Sequence, residues 1–352
     1  MRLVVKVGSN LIQTQEGDID LNLIAKLGRE IKALKTVGDQ VVLVSSGAVL
    51  CGLKKLNLQE RPKSLVEKQA IAGIGQAYLM HLYDMVFSNY KLVSAQVLLT
   101  SDVFREKTKF DNAKNALEKL LEMGAVPIIN ENDTVAVEEL LFGDNDFLAV
   151  HTAFMLQADM LVILSTAGGL RDDEDKVVPF VEDVDFAFRW IKSINSTYGT
   201  GGMLSKLTAT KMAVSLGIPV VITGKEDSLE NIKEGKTTGT FFKPSKPLKQ
   251  SKRLFAMMEE PKGVVYIDEG AYRALKDGKS LLPAGIKRVE GSFNRGQVVV
   301  LYTQDGLLAG KGKTNFSSEE LKKVLGKKGE EVKRILKTNK EEAIHRDNLV
   351  VF

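Results

Sequence analysis

The sequence predicts an α/β protein: an open, mostly parallel sheet sandwiched by helices, followed by a small β-rich, barrel-like domain. Three observations predict it. Through residues 1–242, short Val/Ile/Leu-rich runs alternate with amphipathic stretches, the repetition of a parallel sheet covered on both faces. At residues 243–253 that texture breaks into two prolines and a run of lysines without apolar periodicity, the composition of a linker. Beyond it, short apolar runs are separated by glycine turns. The expected organisation is a first domain over 1–243, a linker over 244–260 and a second domain over 261–352.

The elements follow in order. Residues 3–7, 41–45, 126–130, 160–165 and 218–223 read as buried strands, being short, β-branched and mostly bounded by Gly, Ser, Asn or Thr. Ile24, Leu27, Ile31 and Leu34 recur at the spacing of a helix lying on a sheet. Residues 113–123 read as a second helix closed by Gly124, and 205–216 as a third, closed by Gly217 with Pro219 just beyond. After the linker, 264–268, 298–302 and 307–311 are strand-like, with turns at Gly285, Gly291, Gly296 and Gly306. A short helix over 318–325 has Ser317 or Ser318 as its cap.

Composition narrows the function classes. The chain has 352 residues, 44% hydrophobic and 27% charged, an ordinary globular mixture long enough for two domains. A single cysteine, Cys51, excludes a disulfide framework or cysteine–zinc cluster, and three scattered histidines (His81, His151, His345) argue against a histidine metal site. The start lacks a signal-like apolar region and no apolar run has the ~20 residues of a bilayer span, so a soluble cytoplasmic protein is expected. Net charge is +4, but its distribution is uneven. From Lys243 onward, 23 Lys and Arg face 14 Asp and Glu, leaving the first part acidic and the second basic.

Polar residues and glycines gather where the strands end. Lys6-Val7-Gly8-Ser9-Asn10 follows the first strand and Ser45-Ser46-Gly47-Ala48 the second. Ligands of parallel α/β sheets bind beyond the carboxyl ends of the strands, where helix N-termini present free N–H groups. Thr200-Gly201-Gly202-Met203-Leu204-Ser205-Lys206 opens a helix with glycines, hydroxyls and a lysine, a composition that cradles an oligophosphate. It is not a Walker A loop. Gly-Lys-Thr occurs at 235–237 and 312–314, but Glu230 and Leu307 stand where the first glycine is required. Nor does G-x-G-x-x-G open the first βαβ unit, which disfavours a dinucleotide dehydrogenase. Two polar clusters remain, Asn130-Glu131-Asn132-Asp133 leaving a strand and Gly143-Asp144-Asn145-Asp146 before an apolar helical stretch. Alone, the second is a turn with an N-cap. It is not an EF-hand, because Ala149 and Met155 occupy the Gly and Glu positions. Together the clusters supply carboxylates and amides suited to an amine-bearing substrate or to arranging catalytic lysines.

These motifs, in this order, resemble the amino acid kinase family nearly end to end. Residues 264–312, with Asp268-Glu269-Gly270-Ala271, Ser280-Leu281-Leu282-Pro283-Ala284-Gly285-Ile286 and Gly291-Ser292-Phe293-Asn294-Arg295-Gly296, resemble the PUA domain that some of these kinases append, and His345-Arg346-Asp347-Asn348 also matches. The resemblance implies transfer of the ATP γ-phosphoryl group to the side-chain carboxylate of L-glutamate, giving L-glutamyl 5-phosphate for proline biosynthesis. It implies Mg²⁺ with ATP, feedback inhibition by L-proline and a homo-oligomer. Carried over by position, Ser46, Asp133 and Asn145 bind glutamate. Lys6 and the segment Thr200, Gly201, Gly202, Met203, Leu204, Ser205 and Lys206 bind ATP. Ser165 and Thr166 stand where the family reads Thr-Asp at the nucleotide, so one carboxylate is lost there.

The electrostatics agree with that implication. Acceptor and donor are both anionic, so catalysis must come from alignment and from positive charge where the transferring oxygens crowd together. Lys6 and Lys206 are the candidates for that charge, and Asp146 for the carboxylate orienting them. A glutamate side chain, with its pKa of about 4.3, is already ionised and needs no general base. Two rivals stand beside this reading. One is a kinase of the same fold acting on aspartate, acetylglutamate or carbamate. The other is an RNA-binding protein using the basic half, against which the scattered basic residues and lack of an aromatic array argue.

Overall fold

The computed structural model describes all residues except 15, 16, 61, 137–144, 194–199 and 246–248. The chain divides into two compact units, Met1–Lys246 and Pro247–Phe352.

The first unit is built on an eight-stranded sheet. Its strands are β1 (Arg2–Val7), β2 (Gln40–Ser45), β3 (Ser94–Leu99), β4 (Val126–Glu131), β5 (Met160–Leu164), β6 (Phe180–Val181), β7 (Val220–Thr223) and β8 (Thr240–Phe242). The spatial order is β3-β4-β2-β1-β5-β7-β8-β6, parallel except where β8 runs against β7. The chain leaves β1 toward β2, β3 and β4, then returns to its other side as β5. That reversal beside β1 is the topological switch point at which open α/β sheets bind ligands.

The helices are α1 (Leu21–Thr36), α2 (Ala48–Lys55), α3 (Leu65–Ser88), α4 (Lys107–Glu122), α5 (Asn145–Met155), α6 (Val184–Ala187), α7 (Arg189–Ser193), α8 (Thr200–Ser215) and α9 (Leu229–Lys233). Leu23, Ile24, Leu27, Ile31 and Leu34 of α1 pack with Leu79, Leu82, Tyr83 and Phe87 of α3 against Leu3, Val5 and Val7 of β1. Side chains alternate across a strand, so Lys6 points to the opposite face, the one where α5 lies against β1 and β5. Gly124 (φ +77°) and Gly217 (φ +83°) close α4 and α8 in the left-handed region, as the sequence indicates.

Several features differ from expectation. Helix α8 begins at Thr200, so the expected glycine turn is the helix's own first turn. Helix α3, 24 residues long, escaped the periodicity reading because it is apolar nearly all round. Its start is nonetheless signalled by a capping box, Ser64 accepting from the Glu67 N–H while the Glu67 carboxylate accepts from the Ser64 N–H. The edge strand β3 escaped too, its burial being only partial.

The second unit holds α10 (Gln250–Met258), β9 (Gly263–Ile267), α11 (Glu269–Lys276), β10 (Ile286–Gly291), β11 (Val298–Thr303), β12 (Leu308–Lys313), α12 (Ser318–Lys323), α13 (Gly329–Leu336) and β13 (Leu349–Val351). Its sheet runs β10-β9-β11-β12-β13, with a core of Val265, Ile267, Tyr272, Leu301, Phe316 and Ile344. The stretch expected as linker is largely helical: α10 packs beside β13, and Lys311 Nζ donates to the Ala256 carbonyl. Its lysines and prolines lead into an amphipathic helix whose Ala256 and Met257 are buried. Ser317, not Ser318, caps α12, in a second capping box with Glu320. Among the described residues no helix is long and apolar enough to cross a membrane.

Candidate active site

The strand ends build a two-part crevice. On one side lies a cavity of about 430 Å³, lined by Ser9, Asn10, Ser46, Gly47–Val49, Lys68, Asn130, Asp133 and Asn145, with apolar walls from Leu50, Leu53 and Pro62. Its floor is a chain of amides. Asn145 Nδ2 donates to Ser46 Oγ (2.8 Å) and to Asn130 Oδ1 (3.0 Å), and Asn130 Nδ2 donates to Gln76 Oε1 on α3 (2.8 Å). Gln76 and Asn130 are both buried, so each amide holds the next in one orientation. Asn145 Oδ1 is buried with no hydrogen-bond donor among the described residues, an acceptor left over for a ligand N–H.

Gly47 stands before α2 with φ +117°, a conformation that a side chain would strain. It makes no side-chain cap, so the first N–H groups of α2 face the cavity without intrahelical partners. Close helix contact sets their position. A Cβ on Gly75 would lie 1.8 Å from the Ala48 carbonyl oxygen, and one on Gly52 would lie 2.1 Å from that of Ile71. Helices α2 and α3 therefore touch backbone to backbone. Sequence reasoning missed Gly52, Gly75 and Gln76. The available signal was two glycines and an amide inside apolar helical runs.

Asp133 lies beyond β4 on the cavity wall. Burial pushes its carboxyl above the ordinary value, and the nearby Lys68 charge draws it back only in part. Such a carboxylate favours an incoming cation over bulk water.

Between the cavity and the start of α8 sits an ion cluster. Asp146, fully buried in the first turn of α5, takes Lys6 Nζ on Oδ1 at 2.6 Å and Lys206 Nζ on Oδ2 at 3.1 Å. Lys206 also donates to the Gly202 carbonyl at 3.3 Å. Lys6 is 3% exposed. Among the described residues two lysines share this one buried carboxylate, which gathers positive charge where burial lowers the dielectric.

The sequence-predicted residues thus come together in two groups, Ser46, Asp133 and Asn145 around the cavity and Lys6, Asp146 and Lys206 beside it. Ser165 and Thr166 follow β5, the other neighbour of β1. Ser165 is buried and donates its N–H to the Thr223 carbonyl, while Thr166 is exposed. Thr200, Gly201, Gly202, Met203, Leu204 and Ser205 form the first turns of α8. Gly143 and Asp144 of the second polar cluster lie outside the described residues. The two Gly-Lys-Thr triplets have other roles: Thr237 donates to Asp227 in a loop tether, and Gly312 to Thr314 run along and beyond β12. His151 is buried on α5 with Nδ1 at the Phe147 carbonyl (2.8 Å).

A switch-point crevice with a polar cavity, a buried pair of lysines and a glycine-bearing helix start defines a phosphoryl-transfer protein of the α/β class. The sequence pattern of the amino acid kinase family matches residues 1–224, and that of the PUA domain matches residues 263–336. The chain is 57% identical over 355 residues to a glutamate 5-kinase of Aquifex aeolicus, covering all of both chains. It is 42% identical to one from Caldanaerobacter subterraneus, covering 100% of this chain and 98% of that one, and 41% identical to one from Thermus thermophilus at 99% and 97%. Among solved structures, a Giardia carbamate kinase superposes with a TM-score of 0.52 at 14% identity, covering 69% of this chain and 99% of its own, which shows the shared fold. The chain belongs to the amino acid kinase family and, within it, to the PUA-bearing glutamate 5-kinases.

Proposed function

We propose that this protein transfers the γ-phosphoryl group of ATP to the side-chain carboxylate of L-glutamate, giving L-glutamyl 5-phosphate for proline biosynthesis in the cytoplasm. The observation that carries this reading is the Lys6–Asp146–Lys206 cluster beside the amide-floored cavity. Glutamate occupies the cavity, its ammonium at Asp133 and its side-chain carboxylate among Ser46, Asn145 and the free N–H groups of α2. ATP lies across the start of α8, residues 200–206, with Ser165 and Thr166 beside it. The acceptor carboxylate attacks the γ-phosphorus and the bond to the β,γ-bridging oxygen breaks, so ADP leaves and no proton moves. Lys6 and Lys206 neutralise the equatorial and leaving oxygens as charge develops. Asp146, held by both lysines, fixes their separation before substrate arrives, which spares reorganisation during transfer.

Among the described residues no group of three His, Cys, Asp or Glu side chains is arranged to hold a metal ion. Asp146 is already committed to its two lysines. These residues offer no protein cage for Mg²⁺, which we therefore assign to the ATP phosphates as part of the co-substrate.

The test is turnover with ATP, Mg²⁺ and L-glutamate, trapping the acyl phosphate as a hydroxamate. L-Aspartate and N-acetyl-L-glutamate serve as controls. Hydroxamate from glutamate alone is expected, and hydroxamate from a control alone overturns the substrate assignment. Adding L-proline to the same assay checks feedback inhibition, and sedimentation checks the homo-oligomer that the family resemblance implies. RNA contact is the second reading for residues 247–352, favoured by the PUA match and the basic excess there. Salt-dependent retention of structured RNA tests it.

A further inference from the structure

Glutamate carries three charged groups, and the reading above leaves its α-carboxylate without a partner. Resting on that reading, we propose that Lys68 receives the α-carboxylate and is the residue that makes the cavity select an α-amino acid. Lys68 lies in the first turns of α3, whose start is fixed by the Ser64–Glu67 capping box. It lines the cavity together with Asp133 and is the sole cation among the described residues that do so. Asp133 is likewise the sole described carboxylate there. The two side chains sense each other electrostatically, so they present opposite charges to one region of the cavity.

Unlike Lys63 and Lys54 nearby, which pair with Glu60 and Asp18, the Lys68 ammonium has no hydrogen bond or ion pair among the described residues, its backbone N–H alone donating to the Ser64 carbonyl. A cation near a helix N-terminus also opposes the helix dipole, so α3 gains nothing from a lysine at this place. The α-carbon of glutamate bears one ammonium and one carboxylate, and the cavity offers one carboxylate and one ammonium. Pairing them head to head holds the substrate by its zwitterion and leaves the side-chain carboxylate for Ser46 and Asn145. N-Acetyl-L-glutamate lacks the ammonium, and aspartate is one methylene shorter, so neither satisfies both ends together.

The experiment compares L-glutamate with 4-aminobutyrate, which keeps the ammonium and the reacting carboxylate but lacks the α-carboxylate. Lys68 is exposed, so Lys68→Met is expected to fold, and circular dichroism checks this. In that variant the KM for glutamate rises about tenfold or more, as for loss of a charged hydrogen bond, with kcat changed less than about threefold. The inhibition constant of 4-aminobutyrate against glutamate stays within about twofold, and Lys68→Arg, which keeps the charge, restores part of the lost affinity. An unchanged KM, or a parallel rise for both compounds, overturns the assignment while leaving the kinase reading intact. No hydroxamate from glutamate with the unsubstituted protein overturns both.

Discussion

Lys206 is placed to neutralise the charge that grows on the transferring and leaving oxygens in the transition state, so its loss should fall on kcat rather than on glutamate binding. Lys206→Ala is expected to lower kcat by about 10²-fold or more, the scale of one preorganised electrostatic group. Steady-state kinetics showing kcat unchanged would remove Lys206 from the chemistry. Asp133 carries a pH prediction. Burial raises its carboxyl above the ordinary value, so the folded chain favours the protonated form. That contribution to stability is full below the unfolded pKa of about 3.9 and is lost as pH rises through the higher folded value. Asp133→Asn should therefore raise Tm at pH 7 and leave it unchanged below about pH 4, while raising the KM for glutamate at least about tenfold. In the unsubstituted enzyme that KM should climb as pH falls through the raised pKa. Calorimetry paired with kinetics across pH checks both, and a Tm that falls at pH 7 contradicts the burial argument. At this scale the sequence was informative: Lys6, Ser46, Asp133, Asn145, Asp146 and Lys206 all sit where the structure forms its crevice, because strand-end motifs advertise themselves by composition. Gln76 did not, since an amide within an apolar helix looks the same whether it holds Asn130 or faces water.

The elements position these residues, and the contact of α2 with α3 is the most exacting. Gly75→Ala forces a methyl group to 1.8 Å from the Ala48 carbonyl oxygen and 2.3 Å from the Gly52 nitrogen, so the helices must part. A loss of about 3 kcal/mol is expected, at the upper end of overpacking penalties, measured by denaturant titration. Because Ala48 begins the helix whose N–H groups face the cavity, the KM for glutamate should rise in the same variant. Stability near that of the parent would mean the helices are less closely apposed. Strands β1, β2, β4, β5 and β7 were legible because buried parallel strands are continuous apolar runs. Helices α2 and α3 were not: α2 is only eight residues long, and α3 carries Val66, Ile74 and Met85 on its exposed side, so no clean polar stripe reveals its period. Within the stretch expected as linker, the prolines and lysines precede α10, which begins at Gln250.

At the scale of the whole molecule, each unit closes its own hydrophobic core, so the two are expected to unfold as separate transitions. In the second unit the Arg295 guanidinium, with help from Ser317 and against the effect of burial, holds the Glu320 carboxyl down to about 2. The stability from this pair is present above about pH 4.3 and lost as pH falls toward 2. Arg295 is half-exposed, and screening limits the contribution to about 0.5–1 kcal/mol. Glu320→Gln should lower only the transition of the second unit at pH 7, with the difference vanishing near pH 2 in calorimetry. An effect on both transitions would show that the units unfold together. What the sequence determined alone was local: where most strands and caps fall, which turns carry glycine, and where polar residues gather at strand ends, because backbone propensity, periodicity and composition act over a few positions. What only the tertiary structure decided was the meeting of residues 6, 146 and 206 in one ion cluster and of Ala48 with Gly75 across two helices. Those contacts depend on strand order and on interhelical distance. Both are set by the packing of the whole sheet, which no short window of sequence contains.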